Sequence, residues 1–261
     1  MTRQSRKLSS TGLYHIMLRG NERKSIFQDS EDKQRFLEGI ETKQKDISFS
    51  VYAYCLMDNH VHLLLDMHDN DLSAVMRGIA VRYATFYNWK YSRVGHVFQD
   101  RFKSEVIEDQ RYLLAVIRYI HNNPVKAGLV ENPSNYPWSS FRGYLQPQGP
   151  GCLDTNFVLD IFSENRSTAV KEFERFSLEA DDSTYIGCED EKPIRTLDEG
   201  RTYLEDYLSQ AFGLEINQIR ENKQLRKEII LHLRTQTSLS QRVIAELLGV
   251  DKSLVERLKL K

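Results

Sequence analysis

Disulfide bonds and membrane spans are the first features that this sequence lacks. Its three cysteines, Cys55, Cys152 and Cys188, are odd in number and far apart. They fit neither a disulfide framework nor a zinc knuckle, so reduced thiols are expected. No apolar run approaches the ~18–20 residues of a membrane helix. The basic start is not followed by an apolar signal core, and a cytoplasmic protein is the expectation.

Strong charge of one sign is also lacking, because the net charge is −1 over 261 residues. This average conceals a gradient: Lys and Arg against Asp and Glu number 20 against 16 over residues 1–150, 5 against 13 over 151–200 and 11 against 8 over 201–261. Two mildly basic ends thus flank an acidic middle. The pattern permits polyanion binding at both ends, and ordinary variation of surface charge explains it equally well.

Two histidines stand two residues apart inside an apolar run at residues 58–65. This run and residues 51–56, which are rich in β-forming side chains, are predicted strands with Asp58-Asn59 in the turn between them. Residues two apart on a strand point to the same face, so the imidazoles of His60 and His62 project together. Such a pair can bind a divalent cation. Two partly buried histidines satisfied by their neighbours are the other interpretation.

The first 107 residues show strand and helix patterns in the order strand, helix, strand, strand, helix, strand. The predicted strands cover residues 12–20, 51–56, 60–65 and 97–107. The helices begin near Asp29 and Asp71, because acidic and capping residues favour a helix N-terminus. This order matches the split βαβ, ferredoxin-like arrangement, an α+β fold with an antiparallel sheet.

The second predicted helix carries Arg77 and Arg82 together with several aromatic side chains. The aromatics are Tyr83, Phe86, Tyr87, Trp89 and Tyr91. Basic residues among aromatics are typical of single-stranded nucleic-acid binding, where bases stack and phosphates pair with cations. Aromatics at helical spacing are also typical of a core, and both interpretations stay open.

An amphipathic helix is predicted to begin at Asp109 and to end at about Asn123, before Pro124. Its apolar stripe consists of Leu113, Val116, Ile117 and Ile120. Tyr119 and Asn123 are four residues apart and share a different face, with Tyr112 on the same side. Taken alone, Tyr119 is equally a structural tyrosine whose hydroxyl bonds beside the sheet.

The rest of the chain is predicted to be helical and to end in a second motif. Breakers at 147–151 and an acidic stretch at 181–193 give three predicted parts: residues 1–146, 147–194 and 195–261. In the last part Ala245 lies four residues before Gly249. That spacing is typical of a helix-turn-helix, in which a small residue allows close helix approach and glycine makes the turn. An ordinary helical hairpin is the alternative.

The sequence resembles the REP-associated tyrosine transposases, which belong to the HUH superfamily of single-strand DNA transposases. The segments that carry the resemblance are His60-Val61-His62, residues 95–102 and Tyr119-Ile120-His121-Asn122-Asn123-Pro124-Val125. It runs from Gly12 to about Phe141 and implies a ferredoxin-like catalytic domain. The C-terminal segment is similar to the helix-turn-helix DNA-binding end of the bacterial replication initiator.

The resemblance implies roles for four side chains. His60 and His62 correspond to two metal-binding histidines, and Tyr119 corresponds to the nucleophile. Asn123 falls where related transposases carry a glutamine as the third metal contact; asparagine also offers an amide oxygen, on a side chain one methylene shorter. The implied ion is Mg²⁺ or Mn²⁺, and Mn²⁺ suits imidazole better. A zinc site of three histidines that includes His121 is disfavoured, because His121 points off the Tyr119–Asn123 face.

The implied activity is cleavage of single-stranded DNA at hairpin-forming repeats through a 5′-phosphotyrosine, followed by strand joining. Tyr112 is the alternative nucleophile, and no P-loop occurs, so no nucleotide cofactor is expected. A DNA-binding regulator without catalysis and a phosphodiesterase that uses metal-activated water are the rival functions. Both monomer and homodimer stay open. The expected DNA contacts are Arg19, Arg23, Lys24, Arg101, Lys103, Gln241, Arg242, Lys252 and Ser253.

Overall fold

A computed structural model of the chain describes residues 7–146, 151–179, 185–186, 196–214, 216–220, 222–237 and 239–258. The chain divides into two compact units. Unit 1 comprises Met1–Pro124 and Asn132–Cys188, and unit 2 comprises Val125–Glu131 and Glu189–Lys261. The three predicted parts stay a prediction. Much of the predicted acidic linker at 181–193, and most of the breaker cluster, lie outside the described residues.

Unit 1 is built on a four-stranded antiparallel sheet. Its strands are β1 (Leu13–Arg19), β2 (Ser50–Met57), β3 (His60–Asp66) and β4 (Lys103–Val106). The order across the sheet is β2-β3-β1-β4. Helix α1 (Ser30–Asp46) connects β1 to β2, and helix α2 (Leu72–Lys90) connects β3 to β4. This is the predicted ferredoxin-like α+β arrangement, which is confirmed.

Both connecting helices start where their capping residues predict. The Asp29 side chain accepts the backbone N–H of Asp32 at the start of α1, and Asp71 accepts the N–H of Ser73 at the start of α2. The two helices pack on one face of the sheet, over a core that includes Val61, Leu63, Leu65 and residues of α1 and α2. Since neighbours along β3 alternate between faces, His60 and His62 lie on the opposite face.

The fourth strand is shorter than predicted. Instead of a strand over residues 97–107, the chain makes an isolated bridge between Phe98 and Gly20, then bends, and β4 begins at Lys103. The Asp100 carboxylate accepts the N–H of Arg101 at the bend. A local side-chain bond of this kind competes with the sheet ladder, which is why the alternation of side chains did not reveal the break.

The third long helix is longer than predicted. Helix α3 covers Gln110–Lys126 and contains Pro124, so the proline does not end it. Proline removes one helical hydrogen bond and crowds the preceding turn. Here the ring of Pro124 is itself buried together with Ile120 and Asn123. Packing in the last turn of the helix therefore outweighs the local cost of the proline.

The aromatics of α2 fall into two classes. Tyr83 and Tyr87 are buried core residues, and the hydroxyl of Tyr87 donates to the carbonyl of Ser25 at 2.9 Å. Trp89 is 79% exposed. The core interpretation is therefore correct for the two tyrosines. Phe86 and Tyr91 are partly buried against the same core, and base stacking stays a prediction for them and for Trp89.

The remainder of unit 1 closes the edge of the sheet beside β2. Isolated bridges pair Cys55 with Ser139 and Val51 with Leu153. Cys55 and Cys152 are buried, and neither forms a disulfide bond within the described residues. Three short helices follow α3: α4 (Phe141–Leu145), α5 (Asn156–Asp160) and α6 (Arg166–Ser177).

Unit 2 is helical, with its own apolar core. Its α-helices are α7 (Leu197–Ala211), α8 (Lys223–Gln236), α9 (Gln241–Leu248) and α10 (Lys252–Arg257). Gly249 ends α9 in the left-handed conformation, with φ 62° and ψ 40°. A side chain is strained there, so glycine makes the turn of the predicted helix-turn-helix. Across the described residues, no helix is both long and apolar enough to cross a membrane.

Candidate active site

Four side chains from two elements meet on the face of the sheet opposite α1 and α2. Nε2 of His60 lies 3.3 Å from Oδ1 of Asn123, and the ring of Tyr119 packs edge-on against the ring of His62 with centroids 5.3 Å apart. The His60 and His62 rings are themselves 5.1 Å apart. The strand period of two and the helical spacing of four thus place both pairs on facing surfaces of β3 and α3.

The turn before β3 orients His60. Nδ1 of His60 lies 2.6 Å from Oδ1 of Asn59, while Nε2 faces Asn123. A neutral imidazole has a single N–H, so it cannot donate to both amide oxygens. A proton on Nδ1 leaves the Nε2 lone pair directed towards the amide oxygen of Asn123. Two lone pairs that face one another in this way suit a cation.

The donor set fits a hard divalent ion. Two imidazoles and one amide oxygen, with open positions for substrate or water, are compatible with Mn²⁺ or Mg²⁺. In the part of the chain that the structure describes, no group of three or more His, Cys, Asp or Glu side chains is placed to hold a metal ion. His121 is directed elsewhere, since its Nε2 lies 2.7 Å from the Ser140 hydroxyl and its ring contacts Phe141.

Burial accounts for the electrostatics of His121. Its pKa is lowered to about 3 because desolvation penalises the charged imidazolium. His121 is therefore neutral at physiological pH and acts as a packed, hydrogen-bonded core residue. The structure keeps it away from the His60–His62 pair, in line with its position on α3.

Tyr119 is covered on one side by a second tyrosine. The ring of Tyr185 stacks on it at 4.5 Å between centroids, with an angle of 25° between planes. Tyr185 also stacks on Tyr112, at 6.1 Å. Only 1% of Tyr119 and 4% of Tyr185 are exposed. The Tyr119 ring is thus closed to solvent in this conformation.

One imidazole at the site was missed from the sequence. Nε2 of His15, on β1, lies 3.0 Å from Nδ1 of His62, and both rings are fully buried. The partner of His15 on the neighbouring strand β4 is Glu105, whose Oε2 lies 3.9 Å from Nδ1 of His15. The available signal was a single histidine in the otherwise apolar strand 13–18, which is buried on both faces.

Glu105 is held in its ionised form. Its pKa is lowered chiefly by its contact with His15, while burial acts in the opposite direction. Hydrogen bonding with Tyr112 and with the backbone of Ile186 lowers the pKa further. Tyr112, the alternative nucleophile, is therefore engaged with a carboxylate.

Comparison with known proteins shows similarity to transposases over part of the chain. Residues 9–123 match the model of the IS200-like transposases. A putative REP-associated tyrosine transposase of Haemophilus influenzae is 32% identical over 105 residues, covering 36% of this chain and 59% of that protein. The REP-associated tyrosine transposase of Escherichia coli K12 is 28% identical over 100 residues, covering 38% of this chain and 58% of that protein. The chain is therefore similar to REP-associated tyrosine transposases over less than half of its own length.

A solved structure supports the same fold. A REP-associated tyrosine transposase bound to a REP hairpin superposes with a TM-score of 0.52 at 18% identity, covering 71% of this chain and 96% of that one. The chain spans a little over half the length of the two curated relatives. The family match ends at Asn123 and includes His60, His62 and Tyr119. The individual roles of these residues stay predictions.

Two of the expected DNA contacts lie on the histidine face of the sheet. Arg19 is the cross-strand partner of His60, and Lys103 is the partner of Met17, which in turn pairs with His62. Lys24 forms an ion pair with Glu22 at 2.5 Å. Arg101 is exposed at the bend before β4. The side chain of Arg23 lies outside the described residues.

The other expected contacts lie in unit 2, in the predicted helix-turn-helix. Gln241 and Arg242 open α9, and Lys252 and Ser253 open α10. The side chains of Arg242 and Lys252 are exposed, and Lys252 pairs with Glu256 at 2.8 Å. In a helix-turn-helix, the N-terminal residues of the second helix contact base edges. Lys252 and Ser253 occupy that position, and their contact with DNA stays a prediction.

Proposed function

We propose that this chain is a transposase-type enzyme that nicks and rejoins single-stranded DNA at hairpin-forming repeats, with Tyr119 as the nucleophile. Similarity to the IS200-like transposase model and to a putative REP-associated tyrosine transposase supports the reaction class. The observation that carries the proposal is the convergence of Tyr119 and Asn123 from α3 on His60 and His62 from β3. A tyrosine, two imidazoles and an amide oxygen supply a nucleophile next to ligands for a phosphate-activating ion.

Each ligand has a distinct means of orientation. Asn59 holds Nδ1 of His60, so that Nε2 is directed towards Asn123. Asn123 would supply the amide oxygen in place of glutamine, from the turn of α3 that follows Tyr119. A divalent ion bound by these groups would polarise the phosphate oxygens and stabilise negative charge in the transition state. Mn²⁺ is the better candidate because it accepts imidazole ligands more readily than Mg²⁺ does.

The covalent step exchanges one phosphodiester for another. The hydroxyl oxygen of Tyr119 forms a bond to phosphorus, and the bond from phosphorus to the 3′ oxygen breaks. The phenol proton leaves to water, and the departing 3′ oxygen takes up a proton. The product is a 5′-phosphotyrosine and a free 3′-OH. Attack by a 3′-OH reverses the step and joins strands without any nucleotide cofactor.

The stack of Tyr185 on Tyr119 sets a condition for this reaction. Because Tyr119 is buried beneath Tyr185, the described conformation is closed to a phosphate. DNA binding must therefore displace Tyr185. Arg19 and Lys103, which lie beside the histidines, would attract the phosphate backbone to this face.

The helix-turn-helix would supply a second DNA contact. Recognition by Lys252 and Ser253 at the start of α10 would select duplex sequence, such as the stem of a hairpin. The catalytic side would act on the unpaired strand. Two binding modules joined in one chain raise the effective concentration of the second contact.

The decisive experiment uses end-labelled hairpin DNA from repeats that flank the protein's own gene, incubated with Mn²⁺. A labelled adduct that survives denaturant, and is lost in Tyr119→Phe and His60→Ala but kept in Tyr112→Phe, is the expected result. Metal-dependent cutting that survives Tyr119→Phe would show a phosphodiesterase that uses water, or Tyr112 as the nucleophile. Hairpin binding without any cutting would show a regulator instead.

A further inference from the structure

We propose that His15 is a positioning residue that fixes the tautomer and the ring orientation of His62, with Glu105 as its outer anchor. This inference rests on the proposed metal site of His60, His62 and Asn123, and it concerns three side chains from three neighbouring strands. None of the roles assigned above uses His15. Its contacts are those of a group that acts through another residue.

His15 and His62 are in direct contact. Nε2 of His15 and Nδ1 of His62 are 3.0 Å apart, within hydrogen-bond distance. The two rings lie 5.2 Å apart with an angle of 31° between their planes. Neither ring is exposed to solvent. A hydrogen bond between two buried groups is costly to break because each separated group would stay buried without a hydrogen-bond partner.

The register of β1 against β3 enforces this contact. In the pairing of β1 with β3, Met17 faces His62 and His15 faces Leu64. His15 is therefore the diagonal neighbour of His62 on the same face, a distance that aromatic side chains can bridge. The register is fixed by the core on the other side of the sheet, since a shift by one residue would expose it.

The contact also fixes which ring nitrogen of His62 and of His15 carries the hydrogen. A metal ligand must present a lone pair, so if Nε2 of His62 binds the ion, then Nδ1 must carry the hydrogen. That hydrogen can be donated only to an acceptor, which is Nε2 of His15. The hydrogen of His15 then resides on Nδ1, which faces the Glu105 carboxylate at 3.9 Å. This arrangement of protons satisfies the contact between His62 and His15, whereas Glu105, at 3.9 Å, lies beyond hydrogen-bond distance and acts on His15 through its charge.

A negative charge lies at the outer end of this row of side chains, beyond His15. Glu105 is the direct cross-strand partner of His15. Its carboxylate favours a hydrogen on the near nitrogen of His15, and so leaves the far nitrogen as an acceptor. Partners of this kind orient ligating histidines and raise their basicity, and their loss typically weakens metal affinity about 10–100-fold.

His60 is oriented in the same way by a different group. Its Nδ1 faces Oδ1 of Asn59 at 2.6 Å, which also leaves Nε2 directed to the site. Each of the two candidate ligands therefore has an outer partner on Nδ1. For His60 the partner comes from the adjacent residue, and for His62 it comes from another strand.

The test compares Mn²⁺ affinity by calorimetry in folded variants. His15→Leu removes the acceptor, and we expect the dissociation constant to rise about 10–100-fold. His15→Gln keeps an amide acceptor and donor, and we expect it to restore most of the affinity. The matched control is His121→Leu, which removes another fully buried imidazole that bonds to Ser140. It is expected to keep wild-type affinity.

A second measurement needs no metal. Nitrogen NMR of histidine-labelled protein distinguishes hydrogen on Nδ1 from hydrogen on Nε2 of His62, assigned with His62→Gln. We expect the Nδ1 tautomer in the wild type and a tautomeric mixture in His15→Leu. Should His15→Leu not fold, Glu105→Leu supplies the variant in which the Nδ1 tautomer is expected to be lost, and His15→Gln the variant in which it is expected to be kept.

The outcomes separate the two proposals. Mn²⁺ binding that depends on His60 but is unchanged in His15→Leu would overturn the role of His15 alone. An Nε2 tautomer of His62 in the wild type would overturn it as well. A wild-type protein that binds no Mn²⁺ would overturn the metal site itself and, with it, the role of His15.

Discussion

The ring of Tyr119 stands nearly perpendicular to the ring of His62, at 87° between planes and 5.3 Å between centroids. The tyrosine lies on α3 and the histidine on β3, so a helix and a strand meet with their functional groups in contact. One turn later on the same helix, Asn123 reaches His60. The geometry of the site is thus set by the packing of α3 on the sheet.

The amide of Asn123 is expected to contribute directly to metal affinity. Asn123→Ala removes the oxygen that faces Nε2 of His60 and should weaken Mn²⁺ binding at least about tenfold, or ~1.4 kcal/mol. Calorimetric titration measures the change. The matched control is Asn122→Ala, because Asn122 donates instead to the carbonyls of Arg118 and Ser177. Equal affinity in both variants would remove Asn123 from the ligand set.

Opening the tyrosine stack is expected to raise activity. Tyr185→Ala removes the ring that covers Tyr119, so the rate of adduct formation with hairpin DNA should increase several-fold. Tyr185→Phe keeps the stacked ring and should behave as the wild type. Single-turnover assays under denaturing electrophoresis measure both. A rate for Tyr185→Ala at or below that of Tyr185→Phe would show that the stack does not limit access.

Arg19, at the end of β1, and Lys24, just beyond it, are expected to differ in their contribution to DNA binding. Arg19 is the cross-strand partner of His60, whereas Lys24 pairs with Glu22. Arg19→Gln should weaken binding to every single-stranded DNA and lower the salt dependence by about one unit of slope. Lys24→Gln should change both less. Fluorescence titrations at several salt concentrations measure the slope, and equal effects would contradict this distinction.

The buried imidazole of His121 is expected to make stability depend on pH. Its folded pKa of about 3 lies below the unfolded value, so the unfolded chain binds more protons between these values. Stability is therefore complete above pH ~6.5 and falls as the pH is lowered towards 3, by about 2 kcal/mol between pH 6.5 and 5. Denaturant unfolding at both pH values measures this loss.

A variant isolates the contribution of this one group. His121→Leu should lose stability at pH 7 but show a smaller further loss at pH 5 than the wild type does. The control is His68→Leu, which replaces a half-exposed histidine paired with Asp66. An unchanged acid dependence in His121→Leu would assign the effect to other groups.

The turn of the helix-turn-helix depends on glycine. Gly249→Ala places a side chain in the left-handed region and should cost unit 2 about 1–2 kcal/mol. Gly249→Asn should cost less, because asparagine tolerates this conformation. Thermal unfolding followed by circular dichroism measures the difference. Identical stabilities for both variants and the wild type would mean that the turn adopts another conformation.

Much of the fold was predictable from local pattern, because pattern follows the period of each element. Alternation across His60, Val61 and His62 assigned both imidazoles to one face, and the spacing of four put Tyr119 and Asn123 together on a helix. The capping acids located the starts of α1 and α2. The predictions of an unbroken strand over residues 97–107 and of a helix that ends before Pro124 were wrong, because a local side-chain bond at Asp100 and the burial of Pro124 outweighed the pattern.

The sequence by itself determined which side chains share a face within each element, since that depends only on the geometry of a strand or a helix. Only the tertiary structure decided which faces meet. The contact between His15 and His62 depends on the order and register of β1 and β3, which no local spacing records. The stack of Tyr185 on Tyr119 joins residues 66 positions apart, and burial of both rings brings them together.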